Sequence, residues 1–115
     1  MLSALQRLSA DADETLAEAV RALVESAWDG RAKMWVLLRA LGLRRSAPEL
    51  FARGDYVPAK VTGARERHAL AYARRHGKSG ILVVCGRMFA SLGAAVGSAP
   101  VGAALWQDTT VDASM

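Results

Sequence analysis

Three consecutive segments decide the fold of the second half of the chain: His68-Ala-Leu-Ala-Tyr-Ala-Arg74, His76-Gly-Lys-Ser-Gly80 and Ile81-Leu-Val-Val-Cys85. The last segment is the most strand-like run in the sequence, because β-branched residues are favoured in strands. The first segment alternates more weakly, since alanine is a poor strand former. Two such runs on either side of a glycine-containing turn predict an antiparallel hairpin.

Further strand signals flank this hairpin. Tyr56-Val-Pro-Ala-Lys-Val61 predicts a short strand, and Pro58 confines it to a sheet edge or a strand start because proline has no N–H for the ladder. The segment Val101–Trp106 is interpreted as another strand. Short strands with turn signals about every ten residues favour a small antiparallel sheet.

The first half of the chain predicts a helix that starts near Asp11, where Asp11 and Glu14 have the spacing of a capping box. Asp29-Gly30 is expected to end it, because glycine adopts the left-handed conformation common at helix C-termini. One apolar stripe follows the helix at spacings of three and four. It consists of Leu16, Val20, Leu23, Val24, Ala27 and Trp28.

A second helix is predicted from about Arg31 to Arg45, ending before Ala47-Pro48. It is apolar over most of its circumference, which is typical of a helix covered from more than one side. The sequence therefore predicts an α+β fold, with two packed N-terminal helices followed by a partial antiparallel β-sheet. The boundary is expected between a helical segment, residues 1–48, and a partial antiparallel beta domain, residues 49–115.

Composition limits the classes of protein that the chain can belong to. It has 115 residues, a net charge of +4 and a hydrophobic fraction of 52%, which argues against disorder. A single cysteine, Cys85, excludes an internal disulfide framework and a cysteine-only zinc site. Because Cys85 lies in the most apolar strand, we expect it to be a buried small hydrophobe rather than a nucleophile.

The charge is unevenly distributed. Residues 1–29 carry a net charge of −4, residues 30–87 carry +10, and residues 88–115 carry −2. A basic central segment is typical of nucleic-acid binding, with Arg65, Arg67, Arg74, Arg75 and Lys78 as the candidate residues. The alternative is that these side chains only solvate helix and strand faces.

No targeting or membrane segment is predicted. The first ten residues lack the apolar run of a signal peptide. The apolar stretch 81–105 is interrupted by four glycines and by Pro100, which favours strand and loop over a spanning helix. We therefore expect a soluble, cytoplasmic chain.

The sequence contains no complete reaction chemistry, so no catalytic residue, metal site or cofactor is predicted. Gly77-Lys78-Ser79 lacks the glycine that a phosphate loop requires at position 72. His68 and His76 have no neighbouring cysteine or acidic cluster for metal ligation. Trp28 and Trp35 are expected to pack in the core, whereas Trp106 is open to packing or to stacking on a sugar.

An ordered series of short motifs resembles the C-terminal portion of malto-oligosyltrehalose synthase, a family of the alpha-amylase superfamily. The resemblance covers about residues 14–110. Its motifs are Asp29-Gly-Arg-Ala-Lys-Met-Trp35, Leu41-Gly-Leu-Arg-Arg45, Pro48-Glu-Leu-Phe51, Gly54-Asp-Tyr56, Pro58, Val61-Thr-Gly63, Arg67-His68, Ala71-Tyr-Ala-Arg74, Val83-Val84 and Trp106-Gln-Asp-Thr109.

The resemblance implies a non-catalytic, structural role. Family members rearrange the reducing-end linkage of a maltodextrin to a trehalose end, as (1→4)-alpha-D-glucan 1-alpha-D-glucosylmutases (isomerases) of trehalose biosynthesis, without a cofactor. Their catalytic acids lie on an upstream (β/α)₈ barrel, so this chain is expected to be inactive alone. Asp29, Arg31 and Lys33 match a family motif. In one interpretation these residues face the neighbouring barrel or its glucan cleft, and in the other they only cap and solvate a helix.

The implied partners follow from the same resemblance. They are the catalytic barrel of the parent enzyme, or a separately encoded counterpart, with maltodextrin bound only by the intact enzyme.

Two departures from the family pattern exist: the family often has proline at Cys85-Gly86, and its beta domain continues past the Trp-x-Asp-Thr segment. We therefore expect an open sheet edge that supports a homo-oligomer. The alternative function is a small basic module that binds nucleic acid or a protein, although the resemblance favours no nucleic-acid partner.

Overall fold

The computed structural model describes residues 13–112 and 114. The chain divides between Ser46 and Ala47 into two compact units, a helical unit and a sheet unit. The sequence placed this boundary two residues later, after residue 48. The α+β class is confirmed, because helices are followed by a small antiparallel sheet.

The helical unit contains helix α1 (Asp13–Glu25), a 3₁₀ turn (Ala27–Asp29) and helix α2 (Arg31–Ser46). Helices α1 and α2 contact each other. Leu23 is buried on α1. Gly30 follows the turn with a φ of 83°, so the predicted left-handed glycine is found. The predicted capping box begins at Asp11, which lies outside the described residues.

Two expectations for the first helix are wrong. The α-helix ends at Glu25 rather than at Asp29, because the Ser26 hydroxyl donates to the Ala22 carbonyl and the chain tightens into the 3₁₀ turn. The change of pitch removes Trp28 from the apolar stripe. Its side chain is not in the core, since Trp28 is 88% exposed.

Helix α2 matches its predicted bounds closely but has two different apolar faces. Met34, Trp35 and Leu38 are half-buried on one face. Exposed apolar side chains continue around the helix from that face in two adjacent rows, at the spacings of three and four that place residues side by side on a helix. These side chains are Val36, Leu37, Ala40, Leu41 and Leu43, and we call this set the α2 apolar face.

The sheet unit begins with a short helix, α3 (Pro48–Arg53), that the sequence analysis did not predict. It is followed by the strands β1 (Asp55–Ala59), β2 (Val61–Thr62), β3 (Ala69–His76) and β4 (Ser79–Gly86). Strands β1, β3 and β4 form an antiparallel sheet with β3 in the centre. The predicted hairpin is thereby confirmed, and Pro58 lies on an edge strand as expected.

The central strand separates a buried face from an exposed face. Side chains alternate along a strand, so Ala71 and Ala73 point to one side and Tyr72 and Arg74 to the other. Among the residues of these three strands, only Ala71 and Ala73 are buried. Leu50 of α3 is also buried, and α3 contacts β3. The core of this unit therefore combines small strand side chains with Leu50 from the short helix and with Leu92 from farther along the chain.

A two-stranded sheet forms between β2 and the C-terminal strand β5 (Thr110–Val111). The loop before β5 also contacts the turn after β2: the backbone N–H of Ala64 donates to Asp108 Oδ1 at 2.9 Å, and that of Arg65 to Thr109 Oγ1 at 3.0 Å. Gly63 lies between these bonds with a φ of 107°. A Cβ there would stand 2.7 Å from the Asp108 carbonyl oxygen.

Two expectations for the sheet unit are wrong. The segment Val101–Trp106 is not a strand, since it contains helix α5 (Ala103–Trp106), which starts after Gly102 at a φ of 104°. A helix of the same length, α4 (Phe89–Leu92), precedes it and buries Leu92. Cys85 is exposed rather than buried, because β4 is an edge strand and Cys85 lies opposite the exposed Leu70.

We predict that Gly63→Ala lowers the free energy of unfolding by about 2–4 kcal/mol, because it adds left-handed strain to a steric overlap. Gly97→Ala is the matched control: Gly97 has a φ of 80° but nothing within 4 Å of its Cβ position. The control should lose only about 1–2 kcal/mol. Urea unfolding of both variants tests this, and equal losses would contradict the close contact at Gly63.

Candidate functional site

The first candidate cluster, Asp29, Arg31 and Lys33, is split by the structure. The backbone N–H of Arg31 donates to Asp29 Oδ1 at 2.9 Å, and Nε of Arg31 donates to Asp29 Oδ2 at 2.6 Å. A second guanidinium nitrogen of Arg31 donates to the Ser26 hydroxyl at 3.0 Å. Asp29 and Arg31 thus bind each other at the start of α2.

Lys33 lies elsewhere on the same helix. Its side chain is exposed, and its position three residues before Val36 and four before Leu37 places it on the α2 apolar face. The predicted barrel-facing or glucan-facing role of these three residues is untested and stays a prediction. The geometry separates two parts of the motif: Asp29 and Arg31 order the helix start, and Lys33 is available to a partner.

The hydrogen bonds at Asp29 set its ionisation. The backbone N–H of Arg31 is the main cause that holds the pKa of the Asp29 carboxyl below its ordinary value. Loss of surrounding water acts in the opposite direction, and the side-chain hydrogen bond and charge of Arg31 lower the pKa further. Asp29 is therefore a fixed negative charge at the N-terminus of α2, where the helix dipole favours an anion.

Trp106 lies in a packed position within the sheet unit. Its indole N–H donates to the Pro100 carbonyl at 2.7 Å, and the side chain is half-buried. The ring approaches Gly86, where a Cβ would stand 3.6 Å from Trp106 Cη2 and 2.6 Å from Phe89 Cε1. These contacts provide a structural role for Trp106, and its stacking on a sugar stays a prediction.

The five basic residues predicted as a nucleic-acid site form two groups rather than one patch. Arg65 and Arg67 precede β3, whereas Arg74, Arg75 and Lys78 lie near its other end. The intervening strand is about 25 Å long, at about 3.3 Å per residue. Among the described side chains, the ion pairs are Arg31–Asp29 and Arg53–Glu49, so neither group is neutralised by a described carboxylate.

The group near the hairpin turn adjoins a feature that the sequence analysis missed. Tyr56 and Tyr72 stack with their ring centroids 4.9 Å apart and their planes 27° apart. Tyr56 is paired directly with Arg74 across β1 and β3, so both tyrosines and Arg74 lie on the exposed face of the sheet. We call Tyr56, Tyr72 and Arg74 the tyrosine platform. The predicted strands contained both tyrosines, but the register that brings them together was not predictable.

A shallow cavity of about 340 Å³ lies at the hairpin turn. It is lined by Arg75, Gly77, Lys78, Ser79 and Gly80. Gly77 has a φ of 59° at the first turn position, as a type II′ hairpin requires. Two cations and one hydroxyl therefore surround this cavity.

Other classes of site are absent from the part of the chain that is described. No group of three or more His, Cys, Asp or Glu side chains converges there as metal ligands would. The Nδ1 atom of His68 instead lies 3.2 Å from the Met88 carbonyl oxygen. Among residues 13–112 and 114, no helix combines the length and apolar character needed to cross a bilayer.

Comparisons with known proteins do not assign the chain to a family. No protein-family model matches the sequence, no curated protein matches it, and no solved structure matches the fold.

We predict that the Asp29 carboxyl titrates below its ordinary pKa in an NMR pH titration. Because the folded-state pKa is lowered, the ionised group stabilises the start of α2 above the unfolded-state pKa. That contribution is lost as the pH falls through the folded-state value.

Arg31→Gln is the informative variant. It removes the side-chain hydrogen bond and charge but keeps the backbone N–H, so the pKa should rise only part of the way back. A pKa that returns fully to its ordinary value in this variant would contradict the dominant backbone bond.

Proposed function

We propose that this chain is a non-catalytic C-terminal part of a malto-oligosyltrehalose synthase-like enzyme, which acts in the cytoplasm and lies against a catalytic barrel. Its role is structural: it covers one side of the barrel and helps to fix the glucan cleft. The order of the short motifs supports the family, and the described surfaces support a docking role.

The α2 apolar face is the observation that carries this proposal. Leu41 is 61% exposed and Val36 is 59% exposed, and their neighbours on the same face are also exposed. Monomeric proteins rarely expose contiguous apolar surface of this kind without a partner. The exposed Trp28 belongs to the same helical unit and adds an aromatic side chain of the type enriched in interface cores.

Lys33 gives the proposed interface a polar contact. It lies among the apolar side chains of the α2 apolar face, while Asp29 and Arg31 bind each other away from it. Arg44, which follows Leu41 by three residues, is a second exposed cation on this face, and two cations beside an apolar surface fit a partner with carboxylates at its rim. The barrel supplies the catalytic acids in this arrangement, so the chain itself needs no convergent carboxylates.

The activity of the chain alone tests its non-catalytic role. We expect no loss of reducing sugar when the purified chain is incubated with maltopentaose. Measurable conversion to a trehalose-ended product by the chain alone would contradict the proposal.

We predict that Leu41→Asp weakens binding to a malto-oligosyltrehalose synthase barrel that is produced without its own C-terminal region. Burying an unpaired carboxylate is costly, so the dissociation constant should rise by at least about tenfold. Because Leu41 is already exposed, the variant should fold normally.

Ala22→Asp is the matched control, since it places the same charge at an exposed position of helix α1. Calorimetric titration should show unchanged binding for this control. Failure of the native chain to bind the barrel, or equal effects of the two substitutions, would contradict the proposed interface.

A further inference from the structure

The exposed face of the three-stranded sheet combines an aromatic pair with positive charge. Tyr56 and Tyr72 stack there, and Arg74 lies on the same face next to Tyr56. His76 and Ser79 form the last pair of β3 and β4 on this face. The side chains that alternation places on this face include no carboxylate, because Asp55 points to the alanine side.

The tyrosine platform is accessible. Tyr56 is 59% exposed although it stacks on Tyr72, so part of its ring surface is free to contact a ligand. Leu70, two residues before Tyr72 on the same face, is 52% exposed and extends the platform along the strand. The buried residues of the sheet lie on the opposite side, so a ligand on the platform does not disturb the core.

Arg74 is held beside the aromatic pair by the backbone. Its Nη2 donates to the Gly54 carbonyl at 2.9 Å, which leaves Nη1 for a ligand. Its Nε atom is buried and has no hydrogen-bond partner among the described residues. Lys78 adds a further cation at the adjacent hairpin turn, whereas Arg75, which also lines the cavity there, points to the alanine side of the sheet.

We propose that the tyrosine platform and the hairpin turn bind single-stranded nucleic acid. Unpaired bases stack on exposed aromatic rings, and cations beside the rings contact the phosphate backbone. A neutral glucan would also stack on tyrosine, but it does not explain the positive charge of Arg74 within the platform and of Lys78 at the adjacent turn. The proposal is independent of the docking of the α2 apolar face, because the two surfaces belong to different units.

The direct test is fluorescence anisotropy with a labelled single-stranded oligonucleotide of about 10 nucleotides, at a salt concentration of about 50 mM. We expect saturable binding by the full chain that weakens as salt is added. Tyr56→Ala should raise the dissociation constant by about 5- to 150-fold, as expected for the loss of one stacked base.

Two control variants separate stacking from charge. Tyr56→Phe keeps the ring and should bind within about twofold of the native chain, if stacking provides the affinity. Lys78→Ala should reduce the salt dependence of binding by about one phosphate contact, while Lys60→Ala, which removes a charge at the far end of β1, should leave it nearly unchanged. Circular dichroism verifies that each variant keeps its fold.

Four results would overturn the proposal. They are no binding at low salt, equal affinity for duplex and single-stranded DNA, native affinity in Tyr56→Ala with its fold retained, and binding of maltodextrin without binding of the oligonucleotide. None of these results bears on the proposed barrel interface, because its residues belong to the helical unit and its test measures binding to the barrel.

Discussion

The sheet unit depends on the pairing of β3 along both of its edges. Strand β3 is the only member of the three-stranded sheet with a neighbour on each side, and its inward side chains Ala71 and Ala73 are the buried ones. Alanine buries little apolar area, so the hydrophobic gain at these two positions is small, and Leu50 and Leu92 are the larger buried side chains of the unit. The hydrogen bonds between the strands, and the contacts of the turn at Gly63 with the loop before β5, must therefore contribute much of the stability of this unit.

The core of the sheet unit holds Leu50, Leu92 and two alanines, and several larger apolar and aromatic side chains of both units lie outside a core. Tyr56 extends from the exposed face of the sheet, and Leu41 and Trp28 extend from the helical unit. Their exposure provides surfaces with different chemistry: an apolar surface suited to a protein partner, and an aromatic surface with positive charge suited to a nucleic acid. Each unit thus contributes one candidate surface, and neither surface requires residues from the other.

Local signals in the sequence were sufficient for the hairpin and for the edge position of Pro58, because turn glycines and a missing N–H act within a few residues. They were insufficient for Trp28, since the periodicity continues past the point where the helix changes pitch. Cys85 was misplaced because alternation does not reveal which edge of a sheet stays open. The stacking of Tyr56 on Tyr72 depends on strand register, which long-range pairing sets.

Hydrogen exchange measured residue by residue by NMR on the isolated chain tests the central claim most directly, because exchange rates report local stability. The claim is that β3 is the most stable element of the isolated chain, and that helix α2 is less stable because its apolar face lacks its partner. The amides of β3 should exchange slowest, and those of α2 around Leu37 and Leu41 should exchange at least about tenfold faster. Equal protection of α2 and β3 would contradict the claim.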